Sequence, residues 1–184
     1  GYLASCWTDF FQGILMFLAI ILVPLMAFRA GGGIDGMEAA MEMRDMTMSM
    51  VSNGSEKLGI MAIASSMAWG LGYFGQPHIL VRFMSIKDVK ELDKSRVIAM
   101  IWVIISLGGA VAVGLTGVSL FATADMIGGD AERVFIYMIA KLFNPWVGGV
   151  LLAAILSAIM STIDSQLLVS STTLTEDFYR YINK

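Results

Sequence analysis

Apolar residues in this chain form four long runs, separated by shorter segments that hold almost all of the charged residues. A helix needs about 20 consecutive apolar residues to cross the hydrocarbon core of a bilayer. The runs are of this length, so the pattern predicts four transmembrane helices at approximately 8–28, 58–83, 97–124 and 147–170.

The composition agrees with an all-α membrane protein. Hydrophobic residues make up 57% of the chain and charged residues 15%, against about 25% charged residues in ordinary soluble domains. A soluble bundle with a thick core is disfavoured, because four such runs leave it too little polar surface. Without a basic stripe, nucleic-acid binding has no support. The single cysteine, Cys6, offers neither an internal disulfide nor the spacing of a metal site.

The charges between the runs predict the orientation of the helices. Short cytoplasmic loops accumulate Lys and Arg, and the link 84–96 is the most basic of the three. In the links 29–57 and 125–146 acidic residues outnumber basic ones, and these links are predicted to lie outside. Both ends of the chain are therefore expected in the cytoplasm, and the tail carries Arg180 and Lys184.

Two segments of the outer links have helical features of their own. The Met-rich segment 37–50 is compatible with an interfacial helix. The segment 131–143 alternates apolar and polar positions at helical spacing until Asn144 and Pro145 interrupt it. We expect a short helix there, lying over the outer face.

The second span is interrupted by the sequence WGLGYFGQPH at 69–78, in which three glycines and Pro77 fall within eight positions. Both residue types disfavour a helix interior, and transporters use such broken helices at mid-membrane to present backbone groups to substrates and ions. Trp69, Tyr73 and Pro77 recur every four residues, and an indole and a phenol can enclose an apolar ring. A proline-kinked packing helix with aromatic core residues is the alternative, and both interpretations stay open.

The fourth span carries small residues along one side, which usually mark close helix packing. In a helix, however, the Ala158 carbonyl lies three residues before Ser161 and four before Thr162. One carbonyl and two hydroxyl oxygens then converge, and hard cations prefer oxygen ligands. Because these oxygens carry no formal charge, the alternative to packing is a site for a monovalent cation.

Three titratable residues are further candidates. Asp164 is a carboxylate inside an apolar span, where such groups are costly and usually functional. Asp9, at the predicted inward end of the first span, is either a solvated acid at a helix end or part of a cation path. His78 is either a proton relay or a hydrogen-bonded structural histidine.

Four segments, in order, resemble the sodium:solute symporter family, in particular its bacterial sodium/proline symporters. They are WTD at 7–9, GLGYFGQPH at 70–78 with RFM at 82–84, FNPW at 143–146, and AIMST at 158–162 with SQLLV at 165–169 and TEDFY at 175–179. The resemblance implies two inverted repeats of five helices each. This chain would be a central part of the transporter, supplying the last helix of the first repeat and the first three of the second.

The resemblance also implies roles for single residues. Positions matching Trp69, Tyr73 and Pro77 shape the proline site, and positions matching Ala158, Ser161 and Thr162 bind sodium. The position matching Asp9 influences sodium binding and its path inward. At position 164 the family often has a small hydroxylic residue, so Asp164 departs from the pattern as a possible further contact on the cation path.

The implied function is sodium-coupled symport of proline across the cytoplasmic membrane, not an enzymatic reaction. Sodium is the co-transported ion, and no organic cofactor is expected. The expected partners are proline or a similar small solute, the lipid bilayer and the remaining helices of the same transporter. Two alternatives stay open: symport of another small amino acid or carboxylate, and a transporter-like sensor domain.

Overall fold

The computed structural model describes residues 1–49, 52–53 and 56–182, and is almost entirely helical. The α-helices are α1 (Tyr2–Ala30), α2 (Gly33–Glu42), α3 (Ile60–Ala68), α4 (Pro77–Met84), α5 (Leu92–Leu120), α6 (Val134–Leu142), α7 (Pro145–Thr172) and α8 (Arg180–Ile182). Short 3₁₀ segments lie at Trp69–Gly75, Val89–Glu91, Ala124–Ile127 and Ala131–Arg133, and a π-helical segment at Thr173–Tyr179 joins α7 to α8. Strands β1 (Ser52–Asn53) and β2 (Glu56–Lys57) form one small antiparallel pair.

Within the described ranges, α1, α5 and α7 are the three helices long and apolar enough to cross a membrane. The segment predicted as the second span is divided. Its α-helix ends at Ala68, a 3₁₀ segment follows over the glycine run, and α4 begins at Pro77. This break is where the sequence predicts it, because glycine weakens a helix interior and proline suits a first helical position. That this divided segment crosses the membrane stays a prediction.

The helix ends differ from the predicted spans in a consistent way. The first long helix begins at Tyr2 rather than near residue 8, and α5 begins at Leu92 rather than 97. Hydropathy underestimates these ends, because polar and charged residues can continue a helix beyond its apolar part. The helix predicted over 37–50 is wrong in its bounds: α2 ends at Glu42, and a turn with Asp45 at a φ of 51° follows. Residue 50 lies outside the described residues.

The core lies where α1 packs against α5 and α7, with α6 closing one end. The buried side of α1 presents Ala19, Val23 and Ala27, and α6 contributes Met138 and Ile139. Small side chains on α1 let the long helices approach closely, as is usual where helices pack in membranes.

Two basic side chains cap the C-terminal end of α5. The Lys141 ammonium donates to the Leu120 carbonyl at 2.9 Å and lies 4.9 Å from the centre of the Phe121 ring. The Arg44 guanidinium donates to the Phe121 carbonyl. The last carbonyls of a helix have no partner within the helix, and basic side chains are common substitutes. These bonds tie α6 and the turn after α2 to the end of α5.

Gly109 marks a close contact between α5 and α1. A Cβ atom placed there would lie 2.9 Å from the Ile20 carbonyl oxygen and 2.6 Å from its Cγ1. A Cβ atom on the neighbouring Gly108 would meet nothing within 4 Å. Of these two neighbouring glycines, only Gly109 sits where packing leaves no room for a side chain.

We expect Gly109→Ala to lower the melting temperature of the protein in detergent, and Gly108→Ala to leave it equal or slightly higher. Both changes gain about 1 kcal/mol of helix propensity, but overpacking at Gly109 costs about 1–3 kcal/mol. Thermal unfolding of the two variants side by side makes the comparison. Equal melting temperatures would contradict the close contact of α5 with α1.

Candidate ion site

A cavity of about 490 Å³ lies between α1, α4, α5 and α7. Its apolar wall comes from side chains such as Phe10, Ile14 and Trp102. Its polar residues come from three helices and are Asp9, His78, Arg82, Ser161, Thr162 and Ser165. Polar residues from distant parts of the sequence therefore meet in one cavity within a largely apolar bundle.

The predicted convergence of oxygens on α7 is present. The Ser161 hydroxyl donates to the Ala158 carbonyl at 3.1 Å, and the Thr162 hydroxyl donates to the same carbonyl at 3.1 Å. Such bonds to the preceding turn are also made by Ser and Thr in ordinary helices. What distinguishes this pair is its place: Ser161 and Thr162 line the cavity.

Asp9 is largely buried and paired, so its interpretation as a solvated acid at a helix end is wrong. Its side chain is 9% exposed. Oδ2 accepts from the Arg82 guanidinium at 2.5 Å and from the Ser5 hydroxyl at 3.5 Å. Oδ1 is buried and finds no partner among the described residues, and neither does Oε1 of Gln12, one turn further along α1.

Arg82 is a site residue that the sequence reasoning missed. One of its nitrogens, Nη2, donates both to Asp9 and to the Ser165 hydroxyl, each at 2.5 Å. Ser165 is buried and donates in turn to the Ser161 carbonyl at 2.9 Å. Arg82 thereby joins α4 to both α1 and α7. The available signal was its position beside the apolar run that ends at Val81, where a charge needs a partner.

The family model described as "Sodium:solute symporter family" matches residues 1–184. The chain belongs to the sodium:solute symporter family.

Curated members of the sodium:solute symporter family match over almost the whole chain. Sodium/proline symporter 2 of Staphylococcus saprophyticus is 53% identical over 182 residues, which are 99% of this chain and 35% of that protein. High-affinity proline transporter PutP of Bacillus subtilis is 49% identical over 180 residues, 98% of this chain and 37% of that protein. The sodium/proline symporter of Staphylococcus aureus is 49% identical, with 99% and 35% covered.

The chain thus spans about a third of the length of the curated symporter relatives that it matches. No solved structure matches it.

The other predicted site residues whose side chains the structure describes do not line the cavity that holds Asp9. Ala158 lines a neighbouring cavity of about 360 Å³, which shares Trp102 with the first. Pro77 lines a third cavity, of about 400 Å³, beside Gln166. The side chains of Trp69 and Tyr73 lie outside the part of the chain that the structure describes.

Asp164 is half-buried and does not line the cavity that holds Asp9, Ser161 and Thr162. No hydrogen bond or ion pair of its carboxylate is found within residues 1–49, 52–53 and 56–182. His78 lines both the first and the third cavity. The hydrogen bond expected of a structural histidine is not found for it in the described part of the chain.

The donor set suits a monovalent cation better than a divalent one. In the described residues, no group of three or more His, Cys, Asp or Glu side chains is placed to hold a metal ion. The α7 oxygens are a carbonyl and two hydroxyls, with the Asp9 carboxylate in the same cavity. A carbonyl and two hydroxyls are weak, neutral oxygen ligands, which bind a cation less tightly than carboxylates do.

Proposed function

We propose that this chain is the central part of a carrier that couples sodium entry to proline uptake across the cytoplasmic membrane. The observation that carries the proposal is the pair of hydroxyls on the Ala158 carbonyl, each at 3.1 Å, at the edge of the cavity that contains Asp9. Membership of the sodium:solute symporter family supports sodium as the ion. The names of relatives about 50% identical support proline as the solute.

In this proposal the carrier consists of two inverted repeats of five helices. The first long helix, α1, ends the first repeat, and three spans open the second: α3 to α4, α5 and α7. The 3₁₀ segment at Trp69–Gly75 supports the assignment of a broken span, since transporters bind substrates where a helix is interrupted near mid-membrane. The remaining ligands of both sites would come from helices outside this chain.

We place the link 84–96 in the cytoplasm and the links 29–57 and 125–146 outside. The basic residues of the first link support this orientation. In a full-length carrier lacking Cys6, an impermeant thiol reagent applied to right-side-out vesicles should label Glu42→Cys and leave Lys90→Cys unlabelled. The opposite labelling pattern would reverse the proposed orientation.

Ser161 and Thr162 are proposed as sodium ligands together with the Ala158 carbonyl. Both hydroxyls now use their protons on that carbonyl. A bound cation would turn the protons away and face the oxygen lone pairs. The rearrangement needs only a hydroxyl rotation, because the three oxygens already converge in the helix.

Ser161→Ala and Thr162→Ala should each raise the sodium concentration needed for half-maximal proline uptake, by roughly tenfold if one ligand oxygen is worth about 1.4 kcal/mol. Each substitution removes one oxygen while keeping a small side chain. The measurement is the initial uptake rate of the full-length carrier against sodium concentration, at several proline concentrations. High sodium should restore apparent proline affinity, because coupling between two ligands is reciprocal.

Thr162→Ser is the matched control, since it keeps the oxygen and should be much milder than Thr162→Ala. Unchanged sodium dependence in both alanine variants, with normal amounts of carrier in the membrane, would leave these residues as a helix-packing surface.

Trp69, Tyr73 and Pro77 are proposed to shape the proline site. Their support is the fourfold spacing around the interrupted helix and the match to the family stretch at 70–78. An indole and a phenol give an apolar surface to a pyrrolidine ring and polar edges to its charged groups.

Trp69→Ala and Tyr73→Ala should therefore raise the proline concentration for half-maximal uptake at saturating sodium, without a matching change in sodium dependence. Trp146→Ala, a change of the same size at an 89% exposed position, serves as the control. If both variants keep the wild-type proline affinity, Trp69 and Tyr73 belong to helix packing instead.

A further inference from the structure

Arg82 occupies a position that the transport proposal does not explain. It lies on α4, yet its Nη2 atom bonds to a carboxylate of α1 and a hydroxyl of α7. These two helices form a major packing contact of the structure. Ser165, the acceptor on α7, is one turn beyond Ser161 and donates to its carbonyl. Arg82 therefore holds α1 and α7 together next to the proposed sodium ligands.

The burial of the two ionic partners is unequal. The Asp9 side chain is 9% exposed, whereas the Arg82 side chain is 44% exposed. A buried carboxylate is stable only with a positive partner or strong hydrogen bonds. The guanidinium, by contrast, has access to water and can leave its partners at lower cost. Of the two, Arg82 is the member able to move.

Asp9 also has a second acceptor. Oδ2 holds Arg82, whereas Oδ1 is buried and without a partner among the described residues. Once local motion exposes Oδ1, this oxygen can accept a small cation while Oδ2 still holds Arg82. The negative charge need not be left unpaired during the exchange.

We propose that Arg82 is a tethered cation that closes the contact between α1 and α7 when the cavity holds no ion, and that a passing cation must displace it from Asp9 and Ser165. Arg82 is thus a positioning residue, which acts through Asp9 and Ser165 rather than as a sodium ligand. The identity of the displacing cation, sodium, rests on the proposed function. The closure itself does not.

Closure is measured as the reactivity of a cysteine in the cavity. Met16 lines the same cavity as Arg82 and is only partly exposed, so Met16→Cys is introduced into the full-length carrier lacking Cys6. The purified carrier is placed in lipid nanodiscs, which leave both faces open, and is labelled with a hydrophilic thiol reagent without sodium or proline. Arg82→Gln should label faster, roughly three- to tenfold, the scale of one partly exposed charge-assisted hydrogen bond.

Arg96→Gln is the matched control. Arg96 also pairs with an aspartate, Asp93 at 3.3 Å, but both side chains are largely exposed. This control should label at the unmodified rate. Arg82→Lys, which retains the charge, should label at a rate between those of the unmodified protein and Arg82→Gln.

A charge exchange separates closure from general loosening of the fold. Asp9→Arg combined with Arg82→Asp restores an ion pair with the partners reversed, and should return the labelling rate toward that of the unmodified carrier. An unchanged rate in Arg82→Gln overturns the proposal. The proposal is also overturned if the double exchange labels as fast as the single variants Asp9→Arg and Arg82→Asp, because the pair then has no role in closure.

Failure of this proposal differs from failure of the proposed function. Labelling is measured without sodium and proline, so a carrier of another solute would give the same pattern. Normal sodium-driven proline uptake with unchanged labelling overturns the closure alone. The expected labelling together with an absence of sodium-driven proline uptake overturns the proposed function alone.

Discussion

Water is absent from the interior of a bilayer, and every polar group that a chain places there must find its partner within the protein. This constraint accounts for the main polar features of the structure. Where α5 leaves its apolar run, Lys141 and Arg44 from two other elements cover its last carbonyls. The hydroxyls of α7 turn back onto their own helix. The largely buried Asp9 carboxylate, where α1 packs near α7, has an arginine.

The same constraint distinguishes polar groups that have all their partners from those that lack one. A cap at a helix end and a hydroxyl bonded to the preceding turn are complete in themselves. The Asp9 carboxylate is not, because one of its oxygens is buried without a partner among the described residues, and Gln12 repeats the pattern one turn away. Incomplete pairing is unfavourable in a static protein. Under the proposed function, an ion would satisfy such groups during part of the transport cycle.

The parts of the structure that depend on local spacing could be predicted from the sequence. Apolar run length predicts the long helices, the glycines and Pro77 predict the break, and the spacing from Ala158 to Thr162 predicts the converging oxygens. The pairing of Arg82 with Asp9 could not be predicted, because it joins residues 73 positions apart and depends on how α4 meets α1. The extra turn at the start of α5 was missed because hydropathy does not detect a helix that continues through charged residues. Asp164 was predicted on the cation path because it is a charge in an apolar run, but it does not line the cavity that holds Asp9. The direction of its side chain depends on how the helices pack, which local spacing does not give.

The contacts of α5 with its surroundings differ in stiffness along its length. At Gly109 the helix touches the backbone of α1 with no intervening side chain. At its C-terminal end it is held by a lysine and an arginine, the side chains with the most rotamers to spare. The contact near the middle of α5 leaves little room for movement, whereas the long side chains at its end can adjust their length. If α5 tilts, we expect it to pivot at Gly109. The two basic side chains would then extend or shorten with the moving end and keep its carbonyls covered.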